Sequence, residues 1–164
     1  MQVKWDNPTL LQIRNDDTSF TNSSGVVEVE LLPANEWSYV VIETTLTVPH
    51  PIHLHGHNFF VLAQGSGTYS GSSDISSLTN PPRRDVAKLH SSGYLVVAFK
   101  TDNPGAWLMH CHIGWHTEES FAIQFLEPYE EARKLIDYGA LHSGCKARDE
   151  YVEESSAEQE NDGI

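Results

Sequence analysis

Apolar residues along the chain fall in short runs, broken by Gly, Pro, Asn and Ser clusters. Residues 26–32 (VVEVELL), 37–42 (WSYVVI), 59–63 (FFVLA), 94–99 (YLVVAF) and 121–126 (FAIQFL) are β-branched and aromatic stretches of strand length. Runs of this kind, bounded by turn-forming residues, predict the strands of an antiparallel β-sandwich. Residues 65–81 (GSGTYSGSSDISSLTNP) are rich in Gly and Ser and predict a surface loop. Residues 129–138 (YEEARKLIDY) have helical spacing, with Leu135 three positions after Ala132. The expected class is therefore all-β with a short helix near the C-terminus. No internal repeat is visible in the sequence.

Length and charge narrow the picture. A chain of 164 residues suits one domain with a real core. The net charge is -13, from 10 basic and 23 acidic residues, which makes nucleic acid or an anionic membrane a poor partner. No stretch approaches the roughly 20 apolar residues of a membrane span. Residues 149–164 hold seven acidic side chains and no basic one, and predict a solvated, flexible tail. Residues 1–148 are then the folded domain. The start, Met1 to Trp5, lacks the basic and apolar regions of a secretory leader, so the literal expectation is a cytosolic chain. Asn22-Ser23-Ser24 is a glycosylation sequon, usable only in a secreted chain. Two cysteines, Cys111 and Cys145, are too few for a disulfide scaffold.

The candidate chemistry lies in two segments. Of nine histidines, only His90 and His142 fall outside them. The first segment is His50-Pro51-Ile52-His53-Leu54-His55-Gly56-His57, and the second is His110-Cys111-His112-Ile113-Gly114-Trp115-His116. Imidazole and thiolate bind copper tightly. In an extended segment, residues two apart share a face. His53 and His55 therefore point one way, as do His110 and His112, while Cys111 points to the opposite side. His50 lies beyond a proline and can face another metal. His116, five residues after Cys111, can loop back toward the thiolate. One side thus offers His50, Cys111 and His116, the His₂Cys set of a blue copper site. The other offers His53, His55, His110 and His112.

Two plainer readings compete. Histidines are often structural or surface residues, but this alternation in two clusters does not suit scattered ones. Zinc favours four closed ligands at Cys-x-x-Cys or His-x₃₋₅-His spacing. A cysteine between two histidines that face away from it fits two metal sites better than one. No Ser/His/Asp triad, phosphate loop or deaminase signature is present.

The two segments resemble the third and fourth copper motifs of the multicopper oxidases, most closely ascomycete-type fungal laccases. Flanking stretches share the resemblance: Trp5-Asp6-Asn7-Pro8-Thr9-Leu10, Asn80-Pro81-Pro82-Arg83-Arg84-Asp85-Val86, and Ala98 through Trp107. It runs from about residue 4 to about residue 148. It implies a C-terminal, plastocyanin-like (cupredoxin) domain with a Greek-key β-sandwich, beginning after that domain's opening strands. It assigns His50, Cys111 and His116 to a type 1 copper, His53 to a type 2 copper, and His55, His110 and His112 to a type 3 pair. His57 is not a ligand in this family. Phe121 takes the non-coordinating axial position, and Ser120 stands where the family has Gly.

The family's first two motifs, His-Trp-His-Gly and His-x-His, are absent from this sequence. They belong to N-terminal domains, which the resemblance therefore implies as partners that complete the type 2 and type 3 sites. The implied enzyme is secreted. It oxidises phenols or aromatic amines and reduces dioxygen, and this chain alone would be inactive. The resemblance also implies that Cys145 bridges to the N-terminal domain. It further implies that Asn161-Asp162-Gly163-Ile164 enters the channel toward the type 3 coppers. Two alternatives stay open: a free-standing single-copper electron carrier, and an inert truncated product. The far-side histidines, useless to a carrier, favour the oxidase.

Overall fold

A computed structural model of the chain describes residues 8–15, 26–28, 34–75, 78–118 and 121–155. The elements in chain order are α1 Thr9–Arg14, β1 Val26–Glu28, β2 Trp37–Glu43, β3 His50–Leu54 and β4 Phe59–Ser66. Next come β5 Arg83–Arg84, β6 Val86–Leu89, β7 Gly93–Lys100, β8 Gly105–Cys111 and α2 Gly114–Glu118. The chain continues with β9 Ala122–Glu127, α3 Tyr129–Leu135 and α4 Tyr138–Ser155. One sheet has the order β1-β9-β8-β3-β6 and the other β2-β7-β4-β5. This is a β-sandwich, as the apolar runs predict, and each of the five runs contributes a strand. Residues 29–32 of the first run lie outside the described residues.

The sandwich departs from the antiparallel expectation at one edge, where β1 and β9 pair parallel. More than half of the chain separates these two strands, so no hairpin sets their relative direction. The other pairings are antiparallel.

The core forms where the sheets face each other. Leu95, Val97, Phe99 and Phe59 come from one sheet, and Ile52, Leu54, Leu89, Met109, Cys111 and Phe125 from the other. β2 alternates as a half-buried strand should: Val40 and Ile42 pack on the core, while Trp37, Tyr39 and Val41 are exposed. β7 is central in its sheet and buried on both faces. Its outer residues Tyr94 and Val96 pack with Ala63, and Tyr69 and Ile75 close over them. The Gly/Ser-rich segment is therefore a loop with two inward anchors. Gly93 marks the tightest approach of β7 to β4: a Cβ there would stand 2.1 Å from the Gly65 carbonyl oxygen.

The helix expected over residues 129–138 is two helices. Ile136 is extended (φ -66, ψ 120) and ends α3. The Asp137 carboxylate then accepts hydrogen bonds from the Gly139 and Ala140 amides, at 2.9 and 3.0 Å. Such a side-chain cap starts a new helix rather than continuing the old one. α4 then runs through Ser155, so Asp149–Ser155 are helical, and all but Val152 exposed, within the segment expected to be a flexible tail. A Lys146–Glu150 pair one turn apart, at 3.5 Å, supports that helix. Residues 156–164, including the C-terminal four, lie outside the described residues. Among the described residues no helix is long and apolar enough to cross a membrane.

Candidate metal centre

β3 and β8 are antiparallel neighbours with Ile52 opposite Cys111, His53 opposite His110 and Leu54 opposite Met109. This register sends Cys111 and Ile52 into the core and His53 and His110 to the other face, because side chains alternate along a strand. His50 begins β3 and is fully buried, as is Cys111. After Cys111 the chain turns into α2 and returns. The Phe121 amide donates to the His116 carbonyl at 2.8 Å, and the Cys111 amide to the Phe121 carbonyl at 3.0 Å. That closed loop brings His116 back to the sulfur.

The three candidate ligand atoms meet. Cys111 Sγ lies 3.7 Å from His50 Nδ1 and 3.5 Å from His116 Nδ1, and the two Nδ1 atoms are 3.1 Å apart. Phe121 packs edge-on against the His50 ring at 4.9 Å and offers no donor atom. Burial, and then the neighbouring His116, hold the His50 pKa below its ordinary value. Burial raises that of the Cys111 thiol.

The four other histidines form a looser group on the opposite side. His53 lies 4.9 Å from His55 and 5.7 Å from His110 and His112, measured between ring centres. His110 and His112 stack at 5.5 Å. The Nε2 atoms of His55 and His110 approach to 3.1 Å. His53 donates from Nδ1 to the Asp85 carbonyl at 2.8 Å, and His110 from Nδ1 to the Cys111 carbonyl at 2.9 Å. Both therefore present Nε2 as the free ligand atom, the arrangement seen when a second partner fixes the tautomer. Burial first, and the neighbouring imidazoles next, lower the pKa of His55. In His110 burial and the nearby His53 and His112 outweigh its backbone hydrogen bond, with the same result. Among the described residues, His50, Cys111 and His116 are the one group of three such residues that bring a ligand atom each within 4.8 Å of the others.

The sequence reading missed three supporting residues. Asp85 orients His53. Thr117 contacts His110 Nδ1 at 3.1 Å and donates to the Cys111 carbonyl. Glu127 meets the buried His57 at 3.1 Å. Thr117 and Asp85 sit beside recognised motifs, but nothing in their spacing marks them. His57 joins neither ligand group. Burial lowers its pKa, yet contact with Glu127 outweighs this and raises it overall.

A multicopper oxidase family model matches residues 2–131. The chain belongs to the multicopper oxidases. Relatives of this multicopper oxidase chain include Laccase-1 and Laccase-2 of Botryotinia fuckeliana. They are 39% and 42% identical over 99% of this chain and 29% of theirs. The crystal structure of a laccase from Botrytis aclada superposes with a TM-score of 0.86 at 38% identity, covering all of this chain and 31% of that one. A more distant match in fold is Fet3p, with a TM-score of 0.65 at 23% identity. The chain thus spans less than a third of the length of these laccases.

Copper is the metal this family implies, and the donor set of His50, Cys111 and His116 fits it. The triangle formed by Sγ and the two Nδ1 atoms has a point about 2 Å from all three, close to a metal–imidazole bond of ~2.0 Å. Two imidazoles and one thiolate are the donors of a trigonal copper site. A cavity of about 330 Å³ reaches this multicopper oxidase centre from β2, lined by Val40, Ile42, Ile52, Met109, Cys111 and Phe121.

Proposed function

We propose that this chain is the C-terminal copper-binding part of a laccase-type oxidase that couples one-electron oxidation of phenols or aromatic amines to reduction of dioxygen to water. The observation that carries the reading is the closed His50/Cys111/His116 triangle set back-to-back with four further histidines. His50, Cys111 and His116 hold a type 1 copper. His53 serves a type 2 copper, and His55, His110 and His112 serve a type 3 pair. Bound copper supplies the one-electron chemistry, and the protein supplies ligands and paths. Phe121 offers no donor atom beside His50, so a copper held here would take its ligands from His50, Cys111 and His116, a set that would favour a high potential.

The residues around the two groups suit this division. His116 is only partly buried and abuts Trp115, which is 62% exposed. That edge is where an aromatic donor would approach. Cys111 is bonded in sequence to both His110 and His112. The hydrogen bond from His110 Nδ1 to the Cys111 carbonyl gives a second, shorter link between the groups. A single-copper carrier has no use for the far histidines, which is why that alternative is less well supported.

Further domains on the same protein complete the far-side group in this reading. Its support is the share of relatives' length that the chain spans and an apolar groove of about 920 Å³ on the outer sheet face. Trp37, Tyr39, Phe60, Leu62 and Leu78 line that groove, and Trp37, Tyr39 and Leu78 are exposed apolar side chains of the kind that gather at contact sites. Cys145, unpaired and half-buried on α4, is free to bridge to such a domain. The Asn22 sequon is in keeping with a secreted enzyme. The test is oxygen uptake by the copper-replete full-length protein. About four phenol molecules should be oxidised per dioxygen consumed, the electron count that water formation requires. Phenol-independent uptake, or none, overturns the proposal.

A further inference from the structure

His57 ends the first histidine motif without joining either ligand group, and Glu127 has no part in the function proposed above. Their side chains are 4% and 0% exposed, with His57 Nε2 and Glu127 Oε1 3.1 Å apart. The contact is not aligned as a hydrogen bond, and both carboxylate oxygens lack one among the described residues. The two groups meet at ion-pair distance, enclosed by the fold. A buried ion pair is no general source of stability and is best understood by what it fixes in place.

What this one fixes is the turn that carries His55. The other ring nitrogen of His57, Nδ1, donates to the His55 carbonyl at 3.1 Å. The His57 ring packs near Phe99 and Trp107, at 5.1 and 6.1 Å between ring centres. Gly56, at φ +71, lies flat on the Trp107 ring, where a Cβ would stand 2.4 Å from the indole. The Gly56 carbonyl accepts from Asn103 Nδ2 at 2.8 Å, and Trp107 Nε1 donates to the Asn103 carbonyl at 2.6 Å. The His55 amide in turn donates to the Leu108 carbonyl at 2.9 Å, two residues before His110. Apart from Phe99 on β7, the ties on the turn lead to β8, directly or through Asn103, or to the end of β9. The product is the 3.1 Å approach of His55 and His110.

We propose that the buried His57–Glu127 pair is a positioning latch for His55. It holds the His55 main-chain carbonyl and so sets the imidazole relative to His110 on the copper side away from Cys111. An apolar residue at position 57 could fill the space between Phe99 and Trp107 but would leave the His55 carbonyl unheld. The latch rests on the copper role given above to His55, and its partners act at one remove from the metal.

Two substitutions in the copper-loaded full-length protein separate the latch from bulk stability. In His57→Gln the amide still reaches Glu127, but the donor to the His55 carbonyl is gone. In Glu127→Gln the carboxylate is replaced by an amide of the same size that can hydrogen-bond His57, and the His57 link to the His55 carbonyl is untouched. Non-blue copper is counted by paramagnetic resonance and total copper analysis during dialysis against a chelator, and blue copper by its absorption. His57→Gln should weaken retention of non-blue copper 10–100-fold, the range known for lost supporting partners, while Glu127→Gln stays within about threefold of the unaltered protein. Blue absorption should be unchanged in both.

The latch is refuted if His57→Gln keeps non-blue copper normally, or if Glu127→Gln loses as much. It is equally refuted if blue absorption falls in parallel, which would mean that the pair merely stabilises the domain. Unaltered protein without any non-blue copper would remove the copper role of His55 and the latch with it. A normal unaltered protein beside an unaffected His57→Gln would remove the latch alone.

Discussion

Cys111→Ser should abolish the blue colour of the copper-loaded chain while leaving its fold in place. The colour of a thiolate copper site comes from charge transfer out of sulfur, and a serine hydroxyl stays protonated and binds copper poorly. The substitution is nearly isosteric. Its cost is a buried hydroxyl, about 1–3 kcal/mol where no partner is found, because position 111 is fully enclosed by the core. The far-ultraviolet spectrum should therefore match that of the unaltered chain, with a lower melting temperature. Cys145→Ser is the control. That thiol lies on α4, outside the group formed by His50, Cys111 and His116, so the colour should survive. A blue Cys111→Ser chain would mean that copper sits elsewhere.

The second large effect should be the reverse separation. His55→Ala in the full-length oxidase is expected to stop phenol-dependent oxygen uptake and keep the blue absorption. His55 is exposed at the end of β3, on the side away from the sulfur. Its Nε2 meets that of His110 at 3.1 Å, and its ring meets His53 at 4.9 Å. Removing a direct ligand should cost more than the 10–100-fold lost with a supporting partner, so turnover should fall by more than about 100-fold. Electrons could still reach the blue centre, which would be reduced by phenol and stay reduced in air. An oxidase that turns over normally without His55 contradicts the assignment of that histidine.

Much of this was legible in the sequence because strand periodicity and ligand chemistry coincide. With β3 and β8 extended, alternation alone separates Cys111 from His110 and His112, and the register Ile52 to Cys111 realises that separation. The five apolar runs mark strands because each buries one or both faces. β5 and β6 escaped notice because Arg83-Arg84 and Val86–Leu89 are too short and polar to form an apolar run. The break at Ile136 escaped because helical spacing continues past it, although Asp137 is a capping residue in plain view.

The supporting shell was not legible at all. Asp85 acts through a main-chain carbonyl, which any residue could supply. Glu127 ends an apolar run, where a carboxylate would ordinarily be taken as the first polar residue of a loop. Only the fold reveals that it is enclosed and faces His57. Residues of this kind are defined by what lies across a sheet from them, and sequence spacing carries no trace of that.

The central claim is that this chain completes one copper centre and supplies only part of another. Its most direct test is a copper titration of the 164-residue chain, loaded anaerobically as Cu(I), then oxidised and followed by absorption and paramagnetic resonance. The expected result is a blue colour that saturates at about one copper per chain, with no sustained oxygen uptake when a phenol is added. A chain that binds copper tightly yet stays colourless, or one that consumes oxygen continuously by itself, would contradict the claim.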